Sequence, residues 1–146
     1  MNHRRVVVAA VVTWAVSLVV GFVVNDIVLA NIYAANQAVM RPEAQMTGML
    51  PIGFVFLLLG FLAFAYMYAK GYEGGSGLME GMRFGLCVGI LVTGFGLIWQ
   101  YVLYPITGPM AAAIIIDQLV ESTFYGAIVG LIYKPAAHAV RRPATV

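Results

Sequence analysis

Four apolar runs, each long enough to cross a lipid bilayer, occupy most of this chain and leave little sequence between them. A helix needs about 20 apolar residues to span a hydrocarbon core roughly 30 Å thick. The runs extend from Val6 to Tyr33, Leu50 to Ala69, Leu78 to Tyr104 and Met110 to Tyr133. Four spans within 146 residues leave no room for a separate soluble domain. The expected fold is therefore all-α: one polytopic membrane domain over residues 1–146, with four transmembrane helices in an up-down bundle and a short tail at 134–146. Hydrophobic residues make up 62% of the chain and charged ones 10%, with a mean hydropathy of +0.93, which fits lipid as the solvent.

The breaks are punctuated. Pro42 and Gly48 precede the second run, "GYEGGSG" separates the second from the third, "PITGP" separates the third from the fourth, and Pro135 stops the last. The N-terminal stretch has the basic start of a signal peptide, but its apolar part is too long and lacks a clean small-x-small cleavage site, so it reads as a retained first helix. Residues 34–48 form a longer connection with room for an extra helical turn.

Orientation follows from the basic residues. Arg4, Arg5, Lys70, Arg83, Lys134, Arg141 and Arg142 fall on one side of a four-span arrangement and only Arg41 on the other, so both termini are expected in the cytoplasm. Tyr66, Tyr68, Tyr72 and Tyr133 suit an interfacial belt on that side, as Trp99, Tyr101 and Tyr104 do on the outer one.

Several function classes drop out. A net charge of +2, dispersed along the chain, offers no nucleic-acid surface; the expected partner is the bilayer. Cys87 is the only cysteine and is expected to be a buried structural thiol. Met40, Met46 and Met49 are too irregular for a copper site, and His3 and His138 flank the spans, so no metal, haem or other cofactor is expected. No nucleophile stands beside a histidine, and "GYEGGSG" follows no strand, so it reads as a turn and not as a phosphate loop.

Helices in lipid associate through small residues and polar contacts. Gly77, Gly81, Gly85 and Gly89 recur every four residues in the third run, Gly126 and Gly130 in the fourth, and Thr13, Ser17, Gly21 and Asn25 in the first. These stripes predict tight helix packing, either inside one bundle or in a homo-oligomer or complex with another membrane protein. At the start of the third run, Ser76 is a candidate N-cap, and Glu80 and Arg83 are spaced for an ion pair.

The residues that could carry chemistry lie in the fourth run. Asp117 and Glu121 are one turn apart in "IIIDQLVEST", and about 100° per residue groups Asp117, Gln118, Glu121, Ser122 and Tyr125 on one arc. Ile116, Val120, Phe124, Ala127 and Leu131 form the opposite, lipid-facing arc. No basic side chain shares their depth, so at least one acid is expected to be protonated and to donate a hydrogen bond. Asn25, Asp26 and Asn31 of the first run and Gln100 of the third are candidate partners around an outward-facing polar chamber. Two functions are open: binding and assembly held by a polar network, or proton- or cation-coupled transport through Asp117 and Glu121, assisted by Asp26.

The segment "AYMYAKGYEGGSGLMEGMRFGLCVG", Ala65 to Gly89, resembles a group of small bacterial four-helix integral membrane proteins of unknown function. The tyrosine-lysine-glycine exit of the second run and the glutamate-glycine-x-arginine-x-glycine start of the third carry the likeness. The resemblance implies the four-helix fold and a bacterial inner-membrane location, and no activity. Small multidrug exporters also have four helices and a membrane glutamate, but theirs lies in the first helix, so their function is not carried over.

Overall fold

A computed structural model describes residues 1–133; Lys134, Pro135, His138, Arg141 and Arg142 lie outside the described residues. α1 (His3–Val23) continues through a π turn (Val24–Val28), followed by α2 (Ala30–Ala34), a 3-10 turn (Gln37–Val39), α3 (Glu43–Gly71) and α4 (Gly77–Val92). A second π turn (Thr93–Leu97) leads into α5 (Ile98–Leu103), and α6 (Gly108–Tyr133) completes the described chain. Four continuous helical stretches, His3–Val28, Glu43–Gly71, Gly77–Leu103 and Gly108–Tyr133, are long and apolar enough to cross a membrane. The chain is a small multi-pass membrane protein of helices alone among the described residues.

Two boundaries differ from the sequence pattern. The first span ends at Val28, because the π turn hands over to Leu29 at φ −95°, ψ 0°, outside helical geometry, and Tyr33 falls on the separate helix α2. The second span starts at Glu43, just after Pro42, so residues assigned to the connection are helical. Polarity there does not break a helix: Thr47 Oγ1 donates back to the Glu43 carbonyl at 3.0 Å.

α6 lies between α4 and α1, and α3 packs mainly on α1. α4 and α6 approach each other backbone to backbone. A methyl group added at Gly81 would strike the Gly126 carbonyl oxygen, one at Gly85 the Ser122 carbonyl, one at Gly126 the Gly81 carbonyl and one at Gly130 the Gly77 carbonyl. Each of those methyl directions is that of a Cα–H, so four Cα–H bonds aim at facing carbonyls, each contributing about 0.5–1 kcal/mol. Gly89 abuts the Ser122 hydroxyl. The α4 and α6 glycines thus meet within one chain. Gly21 differs: a methyl there would meet only the side chain of Asn25, one turn on in the same span.

The apolar core sits in one half of the bundle. Val6, Ala9 and Ala10 of α1, Phe61, Phe64, Ala65 and Tyr68 of α3, and Tyr125, Val129 and Tyr133 of α6 are buried together. This is the half carrying Arg4, Arg5, Lys70 and Arg83, here termed the basic end. Its aromatic rings pack edge to face: Phe61 on Tyr125 at 5.2 Å, Phe64 on Phe84 at 4.8 Å and Tyr68 on Tyr133 at 6.0 Å. In the opposite, far half, α3 residues 43–60 are exposed except Leu58, and the Trp14 indole N–H reaches the Phe54 carbonyl at 3.1 Å.

Details at the basic end correct three expectations. Ser76 occupies the N-cap position of α4, but its side chain makes no capping hydrogen bond. Glu80 turns back to accept from the Gly75 backbone N–H at 2.8 Å and makes no ion pair with Arg83, whose side chain is exposed. The turn itself is shaped by Gly74, whose φ of +94° only glycine adopts readily. Cys87 is exposed on the face of α4 turned away from α6, because the four-residue glycine register reserves the buried face for Gly81, Gly85 and Gly89.

Candidate functional site: an acidic recess on the fourth span

The site is built on α6, where Glu121 falls near the midpoint of Gly108–Tyr133 and Asp117 one turn nearer the far end. Helical spacing sets both on the side of Tyr125, while Ile116, Val120, Phe124 and Leu131 are exposed and Ala127 is half-buried. Asp117 and Glu121 are themselves half-buried and close enough to interact electrostatically.

Tyr125 forms the floor. Its hydroxyl donates to Glu121 Oε2 at 2.9 Å, and its ring stands edge-on to Phe61 of α3. The other carboxyl oxygen, Glu121 Oε1, is buried with no hydrogen-bond partner among the described residues. Below this level the aromatic core fills the space between α1, α3 and α6, so the recess closes toward the basic end. The neighbouring hydroxyls add nothing to it. Thr123 and Ser122 both donate to the Leu119 carbonyl, at 2.7 and 3.3 Å, and Ser122 faces Gly89 of α4.

The far side is formed by α1 and α2. In the first π turn, Asn25 Nδ2 donates to the Gly21 carbonyl at 2.8 Å, and Asn25 Oδ1 accepts from the Tyr33 hydroxyl, also at 2.8 Å. α2 packs against α6. Burial, and then the carboxylates of Asp117 and Glu121, push the Tyr33 phenol above its ordinary value of 10.0, which places its hydroxyl in the field of both acids. One turn on, Asn36 is buried; its Nδ2 donates to the Ile32 carbonyl at 2.8 Å, and its Oδ1 accepts from the Thr107 backbone N–H at 3.4 Å, at the start of α6.

The fold therefore brings together Asp117, Glu121 and Tyr125 from the sequence-derived set, with Gln118 half-buried beside them on α6, while Asn25, itself exposed, is tied to them only through Tyr33. It does not bring Asp26, Asn31 or Gln100 to the acids. Asp26 and Asn31 are exposed, because the π turn and the break at Leu29 rotate them off the α6-facing side. Gln100 is exposed and lines a separate far-end cleft of about 400 Å³ with Val39, Tyr104 and Met110.

Tyr33 is the member that sequence reasoning missed, and Asn36 is an anchor of its segment that it also missed. Asn25 and Tyr33 are eight residues apart, which on one unbroken helix means roughly 12 Å. Only the interruption at Leu29 lets the two side chains meet.

Chemically, two carboxyls, a phenol and a carboxamide offer hard oxygen atoms and no positive charge. They suit a proton, a small cation or a cationic group. Among the described residues no three His, Cys, Asp or Glu side chains come together in a metal-binding group. Comparison with family models, with curated proteins and with solved structures finds no match.

Proposed function

We propose that this small multi-pass protein resides in a bacterial inner membrane with both termini in the cytoplasm, and acts by binding and assembly. Its acidic recess faces the outer half of the membrane and receives a positively charged group, either a small cation or a basic side chain supplied by a second copy or another membrane protein. The observation that carries this reading is the buried Oε1 of Glu121, one turn from Asp117 and, among the described residues, with neither a hydrogen-bond partner nor a basic side chain beside it. The bare far half of α3 gives a partner helix room to approach. Kinship with the small four-helix bacterial proteins belongs to the same proposal and rests on the Ala65–Gly89 motifs.

The aromatic core favours binding over a pore, because Phe61, Tyr68, Tyr125 and Tyr133 fill the half of the bundle that a through-path would have to cross. A carrier using Asp117 and Glu121 remains the competing outcome. The test uses purified protein in lipid nanodiscs titrated with Na⁺ and with guanidinium, following the thermal unfolding midpoint and the assembly mass. Cation-dependent stabilisation lost in Glu121→Gln supports a cation occupant, and a defined oligomer or complex lost in the same variant supports a basic partner residue. Indifference of both readouts to Glu121→Gln would sink the proposal. Cation or proton flux in liposomes that depends on Glu121 would replace binding by transport.

A further inference from the structure

We infer that residues 29–39 form a strap that latches shut over the far side of the acidic recess and must release before a solute from the aqueous phase can reach Asp117 and Glu121. The inference deepens the binding reading and rests on it.

The segment is built to move as a unit. Its one α-helical piece, α2, is five residues long, far below the length at which a helix holds itself together in isolation. On one side it joins α1 through the π turn and the non-helical Leu29, and on the other it runs through the 3-10 turn and extended Met40 to Pro42. π turns interrupt the regular ladder and often mark functional sites.

What holds the strap is sparse and specific. Leu29 and Asn36 are its buried anchors. Tyr33 bonds to Asn25 in the π turn that ends the first span, and Asn36 bonds to the Thr107 N–H that opens α6. These two side-chain hydrogen bonds clip the strap to the two helices flanking the recess, and the second, at 3.4 Å, is long. Residues on both sides of Asn36, from Ala34 to Val39, are exposed. Gating elements are drawn from such weakly held segments, because an opening that breaks few contacts occurs often enough to admit a ligand.

Accessibility of the recess tests the strap directly. In a Cys87→Ala background, Asp117→Cys is placed in the recess, the protein is reconstituted in nanodiscs, and labelling by a membrane-impermeant, positively charged thiol reagent is timed. Adding Tyr33→Phe and Asn36→Ala removes both clips and is expected to speed labelling roughly tenfold or more. A Val129→Cys control, at a fully buried core position, should stay unlabelled in both backgrounds, which separates latch release from loss of fold. Hydrogen exchange on the unsubstituted protein supplies a second measurement: amides of residues 30–36 should exchange together and faster than those of residues 9–20. Equal labelling rates with and without the clips, or protection of 30–36 equal to that of α1, would overturn the strap. If labelling is gated while Na⁺ and guanidinium leave the unfolding midpoint unmoved and assembly is indifferent to Glu121→Gln, the strap stands and the binding reading fails.

Discussion

Gly81 in α4 and Gly126 in α6 point a Cα–H each at the other's carbonyl oxygen, so the two backbones touch with no side chain between them. In lipid, where burying apolar surface gives helices no reason to associate, such contact supplies the attraction. Gly126→Ala should therefore lower stability by about 1–3 kcal/mol through overpacking, measured by denaturant unfolding in detergent micelles. Gly60→Ala, whose methyl would enter open space on α3, is expected to be neutral or to stabilise by about 0.5–1 kcal/mol.

Among the described residues, Tyr125 is the only side chain that donates to Glu121. Tyr125→Phe keeps the ring against Phe61 and removes the hydroxyl, leaving both carboxyl oxygens without a side-chain partner. The expected cost is about 1–3 kcal/mol in the same unfolding measurement, with Glu121→Leu in the Phe background recovering part of it. If Tyr125→Phe unfolds like the parent, water or lipid already satisfies the acid.

Tyr33 makes a pH prediction. Its phenol titrates above 10.0 when folded, so the stability it contributes is complete below pH 10 and is withdrawn as the pH rises through the higher folded value. Alkaline pH should thus loosen α2 before it unfolds α6. Asp117→Asn removes one of the charges opposing ionisation, and the phenolate absorbance assigned by difference from Tyr33→Phe should appear at lower pH than in the parent, though still above 10 because burial is the larger cause.

At the basic end, Glu80 holds the Gly71–Gly77 turn through the Gly75 N–H. Glu80→Ala should cost on the order of 1 kcal/mol, and Arg83→Ala should change stability by a few tenths at most. A double-mutant cycle between them should show no coupling. Measurable coupling would restore the ion pair that the spacing suggested.

The spans were legible because length and hydropathy answer to the thickness of a bilayer, a constraint that does not depend on where any side chain points. The glycine register was legible for a related reason: a four-residue repeat of Gly77, Gly81, Gly85 and Gly89 has one face whatever its partner. Its partner was not, and only the packed fold pairs it with Gly126 and Gly130. The acids were visible as charges in an apolar run, but their surroundings depend on two π turns, at Val24–Val28 and Thr93–Leu97, that carry no sequence signature and shift every later side chain around its axis. That shift sends Asp26 to the surface and brings Tyr33, the last residue of the first apolar run, back to Asn25.

The placement of the aromatic core in one half has a mechanical outcome. With Phe61, Tyr68, Tyr125 and Tyr133 clamped together near the basic residues and α3 nearly bare beyond Leu58, the molecule is constructed like a clothes-peg, stiff at the spring and compliant at the jaws. Force, heat or detergent should pry it apart from the jaws first. Asp117 and Glu121 sit at the point where compliance begins.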